Sequence, residues 1–78
     1  MMDRSVRVYK ARGYVDGIPG KSPRVSQLEA RDRAQKKVMQ ALKRANALAV
    51  SDWTITVAYD RSTGSEYVEV ELLGEIYE

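Results

Sequence analysis

Apolar side chains recur at every second position in three segments of the chain, residues 5–12, 53–59 and 66–73. A period of two is typical of β-strands that are buried on one face, so each segment predicts a strand. Residues 60–65 separate the last two segments and predict the turn of an antiparallel hairpin. Residues 13–24 contain three Gly and two Pro, a density that predicts a loop after the first strand.

A helical pattern follows this loop. Ser26 and Glu29 have the spacing of a capping box, in which each side chain bonds the backbone N–H of the other residue. No Gly or Pro interrupts the chain from there to about Ala49, and Ser51 and Asp52 end the predicted helix. At about 100° per residue, the apolar positions form one stripe that is mostly alanine. That stripe is Ala30, Ala34, Val38, Ala41, Leu42, Ala45, Leu48 and Ala49.

These elements predict an α+β domain, in which one long helix packs on one face of a small antiparallel sheet of three to four strands. The order is β-(β)-α-β-β, where the bracketed strand is a short segment at residues 14–16 that folds back on the first. Residues 1–78 form a single domain, with frayed ends at about residues 1–4 and 74–78. Trp53 is expected to close one end of the core. The predicted core is Val6, Val8, Val38, Leu42, Ala45, Leu48, Ile55, Val57, Val68, Val70 and Leu72.

The charges are sorted along the sequence. Residues 1–44 contain twelve of the thirteen Lys and Arg and four Asp or Glu, a net charge of +8, whereas residues 45–78 contain one Arg and seven acidic residues, a net charge of −6. If the first strand lies beside the last, Arg7 faces Glu69 or Glu71 and the two halves partly neutralise each other. The helix keeps a basic ridge opposite its alanine stripe. This basic ridge is Arg33, Lys36, Lys37, Lys43 and Arg44.

The basic ridge has two interpretations. Five cations on one exposed helix face can contact the phosphates of a nucleic acid. The commoner role of such a face is solvation, and Lys and Arg near the C-terminal end also interact favourably with the helix dipole. The pattern contains only one helix, so no helix-turn-helix is predicted.

The composition gives little support to an enzyme. The chain lacks histidine, the usual general base near neutral pH, and cysteine, which thiolate metal sites and disulfides require. Glu69 and Glu71 form the best acidic pair, but acidic faces on exposed strands are far commoner than metal or acid–base pairs. We therefore expect no enzymatic activity, no catalytic residue, no metal and no cofactor. We also expect a cytoplasmic location and no membrane contact.

Part of the chain resembles the HicB-like antitoxin domains. The run GYVDGIPG from Gly13 resembles their aromatic-Val-x-x-Ile/Val-Pro-Gly segment, followed here by Val25-Ser-Gln and by a helix that opens with Arg31-Asp-Arg-Ala. The run SDWTITV from Ser51 resembles their Asp-aromatic-x-Val/Ile-x-Val strand. The resemblance implies a β-β-β-α-β fold, with a third strand at residues 23–27, and an RNase toxin as partner. The basic helix face departs from the acidic face usual in that family.

The sequence therefore predicts a small binding or regulatory protein that acts through protein–protein contacts, with the HicB-like resemblance implying an antitoxin. The alternative is a nucleic-acid-binding protein that uses the basic ridge. A homodimer through a sheet edge or a sheet face is a further arrangement, because a second copy enlarges so small a core.

Overall fold

The protein has two layers, one helix packed against an antiparallel sheet of four strands. This arrangement confirms the predicted α+β class. The computed structural model describes residues 4–17, 21 and 23–77, and the remainder of the predicted loop and frayed ends lies outside them. The described part is elongated, 53 × 21 × 20 Å, because its two longest strands run side by side.

The last of the described strands, β4 (Glu66–Tyr77), is the central strand of the sheet. The strand β1 (Arg4–Tyr14) pairs antiparallel with one side of β4 along its whole length. Two shorter strands, β2 (Leu48–Ala49) and β3 (Thr54–Tyr59), pair antiparallel with the other side of β4. The helix α1 (Gln27–Ala45) lies over β1 and β4 and leaves β3 to one side.

The helix α1 begins where the capping box predicts but ends earlier than expected. The Glu29 N–H donates a hydrogen bond of 3.1 Å to the Ser26 hydroxyl oxygen, which makes Ser26 the N-cap. The helix ends at Ala45 rather than at about Ala49, because Asn46 adopts the left-handed conformation with φ 53° and ψ 40°. Asparagine tolerates that conformation better than most residues and often closes helices in this way. The chain that follows is therefore free to form β2.

The face of β1 that packs under the helix is the opposite of the predicted one. Tyr9 and Ala11 pack against the core, whereas Val6 and Val8 lie on the far face with more than half of their surface exposed. Gly13 determines this choice, since it is buried against α1 and a Cβ there would overlap a backbone carbonyl oxygen of the helix. Side chains alternate along a strand, so the residues two and four positions before Gly13 share its face.

The buried core is smaller than predicted. It consists of Val15, Ala30, Ala34, Val38, Leu42, Val68, Val70 and Leu72. The confirmed members of the predicted core are Val38, Leu42, Val68, Val70 and Leu72. The predicted members that are exposed instead are Val6, Val8, Leu48, Ile55 and Val57. Ala45 is partly buried, and Trp53 packs against the core as expected.

The strand β4 continues through residues 74–77, which were predicted as a fraying polar tail. It stays ordered as a strand there because β1 pairs with it on one side and β2 on the other. Gly74 makes this possible, since an added Cβ would lie 2.6 Å from Leu42 Cδ2 and 2.7 Å from Tyr9 Cε2. The glycine thus lets the leucine and the tyrosine ring close over the sheet.

The described residues between β1 and α1 form no separate strand. The Val15 N–H donates to the Glu66 carbonyl oxygen (2.9 Å), so the chain continues along β4 instead of folding back on β1. The Val25 N–H donates to the Val15 carbonyl oxygen (2.9 Å) just before the helix begins. The prediction of a separate strand at residues 14–16 is therefore wrong, as is the strand at residues 23–27 that the resemblance implies. The observed order β-α-β-β-β also differs from the order that the HicB-like resemblance implies.

Candidate functional site

The outward side of β3 presents backbone groups that lack a strand partner. In the hairpin turn the Asp60 N–H donates to the Ser65 carbonyl oxygen (2.8 Å), which makes this pair a hydrogen-bonded one. Bonded and non-bonded pairs alternate along an antiparallel ladder, so the even-numbered residues of β3 bond to β4. The N–H and C=O groups of Ile55, Val57 and Tyr59 therefore point away from β4. No strand in the described part of the chain pairs with them.

The other edge of the sheet, β1, is protected. It carries Arg7, Lys10 and Arg12, and the Lys37 ammonium donates to the outward-facing Arg12 carbonyl oxygen (3.1 Å). Charged side chains on an edge strand discourage pairing with another chain. By contrast, Thr54–Tyr59 contains neither a charge nor a proline. These two edge strands thus differ in kind, and of the two β3 is open to a further strand.

A shallow groove runs between β3 and the flank of α1. It has a volume of about 200 Å³, and its floor is the buried Val68. Ile55 and Val57 form the strand wall, with 44% and 48% of their surface exposed, and Leu28 stands on the helix wall. Both strand residues face the helix layer, but α1 lies too far toward β1 to cover them. The groove is therefore apolar surface left uncovered next to an open strand edge.

Arg31 is the charged residue that lines this groove. Its Nε atom is buried and has no hydrogen-bond partner in the described part of the chain. No ion pair joins Arg31 to an acidic side chain among the described residues either. A buried donor without a partner destabilises a protein by about 1–3 kcal/mol, so this arginine is an unsatisfied group at the edge of an apolar groove.

The residues of the predicted basic ridge are all exposed on α1, but three of them have partners. Arg33 donates to Glu29 (3.0 Å) and Lys36 lies 3.1 Å from Asp32, each one helical turn away. Lys37 covers the carbonyl of β1 described above. Lys43 and Arg44 lie in the last turn of α1 and make no ion pair with any described residue. The unpaired positive charge of the ridge is thus concentrated at its C-terminal end.

The first and last strands do neutralise each other, but with a different register from the predicted one. Arg7 lies opposite Gly74, and Arg12 and Lys10 lie opposite Glu69 and Glu71. Arg12 Nε is 3.3 Å and Lys10 Nζ is 3.9 Å from the Glu69 carboxylate. Glu69 is therefore an ion-pair partner rather than half of an acidic pair. No group of three acidic, histidine or cysteine side chains in the described ranges is arranged to hold a metal ion.

Arg12 also organises an aromatic pair on the open face of the sheet. Its guanidinium carbon lies 4.1 Å above the centroid of the Tyr67 ring, and the Tyr14 ring centroid is 5.8 Å from that of Tyr67. A hydrogen bond with the Tyr14 side chain and the neighbouring Glu69 carboxylate raise the pKa of Arg12. The Arg12 guanidinium is therefore held over the Tyr67 ring and beside the Glu69 carboxylate.

A polar cluster that sequence reasoning missed fastens the helix N-terminus to β4. The buried Glu66 carboxylate accepts from Gln27 Nε2 (2.7 Å) and, at 3.4 Å, from Arg24. Asp16 accepts from the Glu66 backbone N–H (2.8 Å) and from Arg24 (2.6 Å). Each carboxylate has donors within the cluster. The cluster is thus a structural fastening rather than a reactive site.

A cavity of about 650 Å³ lies at the same end of the sheet between the helix and the hairpin turn. It mixes cations of the basic ridge with Asp16 and Asp60, so its charges largely balance. The Ser62 hydroxyl and backbone N–H both donate to the Asp60 carboxylate and lower the pKa of Asp60. These bonds fix the turn that carries β3 into β4.

Sequence reasoning named no residue of the groove as a site. The signal that it left unused is the uncharged run Thr54–Tyr59 in a chain where charges are frequent elsewhere. No helix in the described part of the chain combines the length and the apolarity that crossing a membrane requires. Comparison with protein-family models, curated proteins and solved structures gives no match to this chain.

Proposed function

We propose that this chain is a small non-enzymatic binding protein, and that it docks an extended segment of another protein along β3. The observation that carries the proposal is the uncharged open edge of β3, where the backbone N–H and C=O groups of Ile55, Val57 and Tyr59 point outward. A partner strand that bonds to these groups extends the sheet, a common mode of peptide recognition. The groove beside the strand supplies apolar contacts for side chains of the same segment, and such pockets give this mode its specificity.

A proline at position 57 tests this proposal. The Val57 N–H points outward, so Val57→Pro removes a docking donor without removing a bond of the sheet, and proline is tolerated on edge strands. The matched control is Val57→Thr, which keeps both the N–H and the β-branched shape. Circular dichroism establishes that both variants are folded.

The readout is photo-crosslinking in cells that make the protein. A photoreactive phenylalanine analogue replaces Tyr59 on the docking edge, and a second chain carries it at Lys43 on the far side of the helix. With the probe at position 59, we expect protein adducts that disappear in Val57→Pro and persist in Val57→Thr. With the probe at position 43, we expect no adduct whose yield changes when residue 57 is replaced. Adducts that persist in folded Val57→Pro, or their absence from position 59, would refute docking on β3.

On the basis of the HicB-like resemblance, we propose further that the partner is an RNase toxin. Identification of the protein in the same crosslinked adducts tests this proposal. A small RNase captured at position 59 supports it, whereas a partner of another class removes it. The strand order of this chain, which differs from the order implied by the resemblance, is the reason to keep the two proposals separate.

The alternative function is nucleic-acid binding by the basic ridge, favoured by the unpaired charges of Lys43 and Arg44. Charge reversal at Lys36, Lys37 and Arg44 is then expected to abolish binding to duplex DNA or RNA, and binding by the unmodified protein falls steeply as salt rises. Fluorescence anisotropy at low salt decides the matter, because an unmodified protein that binds neither duplex there removes this alternative.

A further inference from the structure

Arg31 specifies what kind of segment fits the groove. We infer that the partner segment carries an Asp or Glu two residues from an apolar side chain, and that this carboxylate bonds the Arg31 guanidinium. The inference rests on the proposed docking along β3 and adds the chemistry of the partner. It depends on three features described above: an open strand edge, an apolar groove, and one cation without a partner.

The difference between Arg31 and its neighbours on α1 supports this assignment. Arg33 and Lys36 each have an acidic residue one turn away, and the chain offers no such residue to Arg31. Arg31 lines the groove, and its buried Nε has no hydrogen-bond partner among the described residues. A carboxylate accepts two parallel hydrogen bonds from a guanidinium, so an acidic side chain of a partner supplies the counter-charge that the described residues do not give to Arg31.

The spacing follows from strand geometry. A segment that pairs with the outward groups of β3 presents every second side chain to the helix layer, beside Ile55 and Val57. Apolar side chains of that row extend the strand wall of the groove. The acidic residue belongs to the same row, because Arg31 reaches the groove from the helix side. The pattern of the segment is therefore apolar-x-acidic or acidic-x-apolar.

A second copy of this chain does not meet the requirement. Two β3 strands related by a two-fold axis pair antiparallel, with both helices on the same face of the joined sheet. β3 contains no acidic residue, so the paired strand of a second copy brings no carboxylate to the groove. It brings a second Arg31 to the same side instead. Charge complementarity thus selects a different protein over a homodimer through this edge.

The test is selection of binders from a random decapeptide library displayed on phage, with the full-length protein as bait. We expect the unmodified protein to enrich peptides with the apolar-x-acidic pattern in either direction. Arg31→Gln is expected to weaken these peptides by about tenfold or more, as the loss of hydrogen bonds to a charged group predicts. Selection on Arg31→Glu should enrich Lys or Arg at the acidic position. Thermal unfolding of the variants controls for folding, and Arg31→Lys is the conservative replacement.

The outcomes separate this inference from the proposed function. The inference is overturned if the selected peptides lack an acidic residue or bind Arg31→Gln as tightly as the unmodified protein. If these same peptides fail to bind Val57→Pro, docking on β3 is still supported. Failure to enrich any peptide sensitive to Val57→Pro overturns both. Analytical ultracentrifugation tests whether a second copy of the chain occupies the β3 edge instead. A dimer that dissociates in Val57→Pro but persists in Arg31→Gln would assign the edge to a second copy and overturn the inference.

Discussion

The replacement Gly13→Ala tests the contact that places the helix on the sheet. Gly13 lies in β1 directly under α1, and an added Cβ would overlap the Ala30 carbonyl oxygen and lie 2.7 Å from its carbonyl carbon. Both atoms belong to the helix backbone, so no side-chain rotation relieves the overlap. The helix must move away from β1, and the packing of the fully buried Ala30 and Ala34 is disturbed with it.

The expected loss in the free energy of unfolding is about 3 kcal/mol. Overpacking of a core where side chains adjust costs typically about 1–3 kcal/mol, and a backbone overlap lies at or beyond the upper end. The lower entropy of the unfolded alanine chain offsets at most about 1 kcal/mol of this loss. A domain of this size has a total stability of about 4–12 kcal/mol. A loss of 3 kcal/mol lowers Tm by roughly 12–24 °C.

Urea and thermal unfolding followed by the fluorescence of Trp53 measure this loss, because Trp53 packs against the core. Two other glycines are controls. At Gly74 the new Cβ lies close only to atoms of side chains, and side chains can rotate away. At Gly64 the new Cβ has no neighbour within 4 Å, but the alanine must adopt a φ of 73°. We expect each control to lose about 1–2 kcal/mol. A Gly13→Ala protein as stable as Gly64→Ala would refute the close approach of α1 to β1.

Three further predictions concern single elements. Ser26→Ala removes the N-cap acceptor of α1 and should lower the free energy of urea unfolding by about 1 kcal/mol, whereas an unchanged midpoint would contradict the capping role. Asn46→Ala should lose about 1 kcal/mol because alanine is strained in the left-handed conformation, and Asn46→Gly should lose almost nothing; equal losses would argue against the left-handed C-cap. Asp60→Asn should lower Tm at pH 7. Because the pKa of Asp60 is lowered in the folded protein, its carboxylate stabilises the fold above the unfolded pKa and stops doing so as it becomes protonated. The Tm difference between the two proteins should therefore shrink below about pH 4. A Tm difference that stays constant down to pH 2 would contradict the charge-based explanation.

Local signals in the sequence predicted the elements that local chemistry determines. The Ser26–Glu29 capping box gave the start of α1, and the alternation before and after Gly64 gave the hairpin of β3 and β4. The end of α1 also has a local cause, the left-handed Asn46, but asparagine is a weaker stop signal than glycine and the apolar periodicity ran past it.

Tertiary contacts determine what the sequence pattern missed. Val6 and Val8 are strongly apolar, yet Tyr9, Ala11 and Gly13 form the row that packs under the helix, because only glycine allows the helix backbone so close. Ile55 and Val57 have the alternation of a core strand, but their burial depends on where α1 crosses the sheet. The site beside β3 exists because the helix leaves that strand uncovered. The uncharged run of residues 54–59 indicates a strand that can accept a partner, but it does not show where the helix crosses the sheet.

The position of β4 has a consequence for how the protein is made. Every strand pair in the described part of the chain includes β4, and β4 follows all the other described elements in the sequence. Tyr14, the β1 residue closest in sequence to its partner, pairs with Tyr67. During translation α1 can form, but no sheet exists to cover its apolar stripe until residues 66–77 have left the ribosome. Formation of the sheet is thus deferred until β4 has been synthesised, and a nascent chain stalled before β4 exposes the apolar surface that chaperones and proteases recognise.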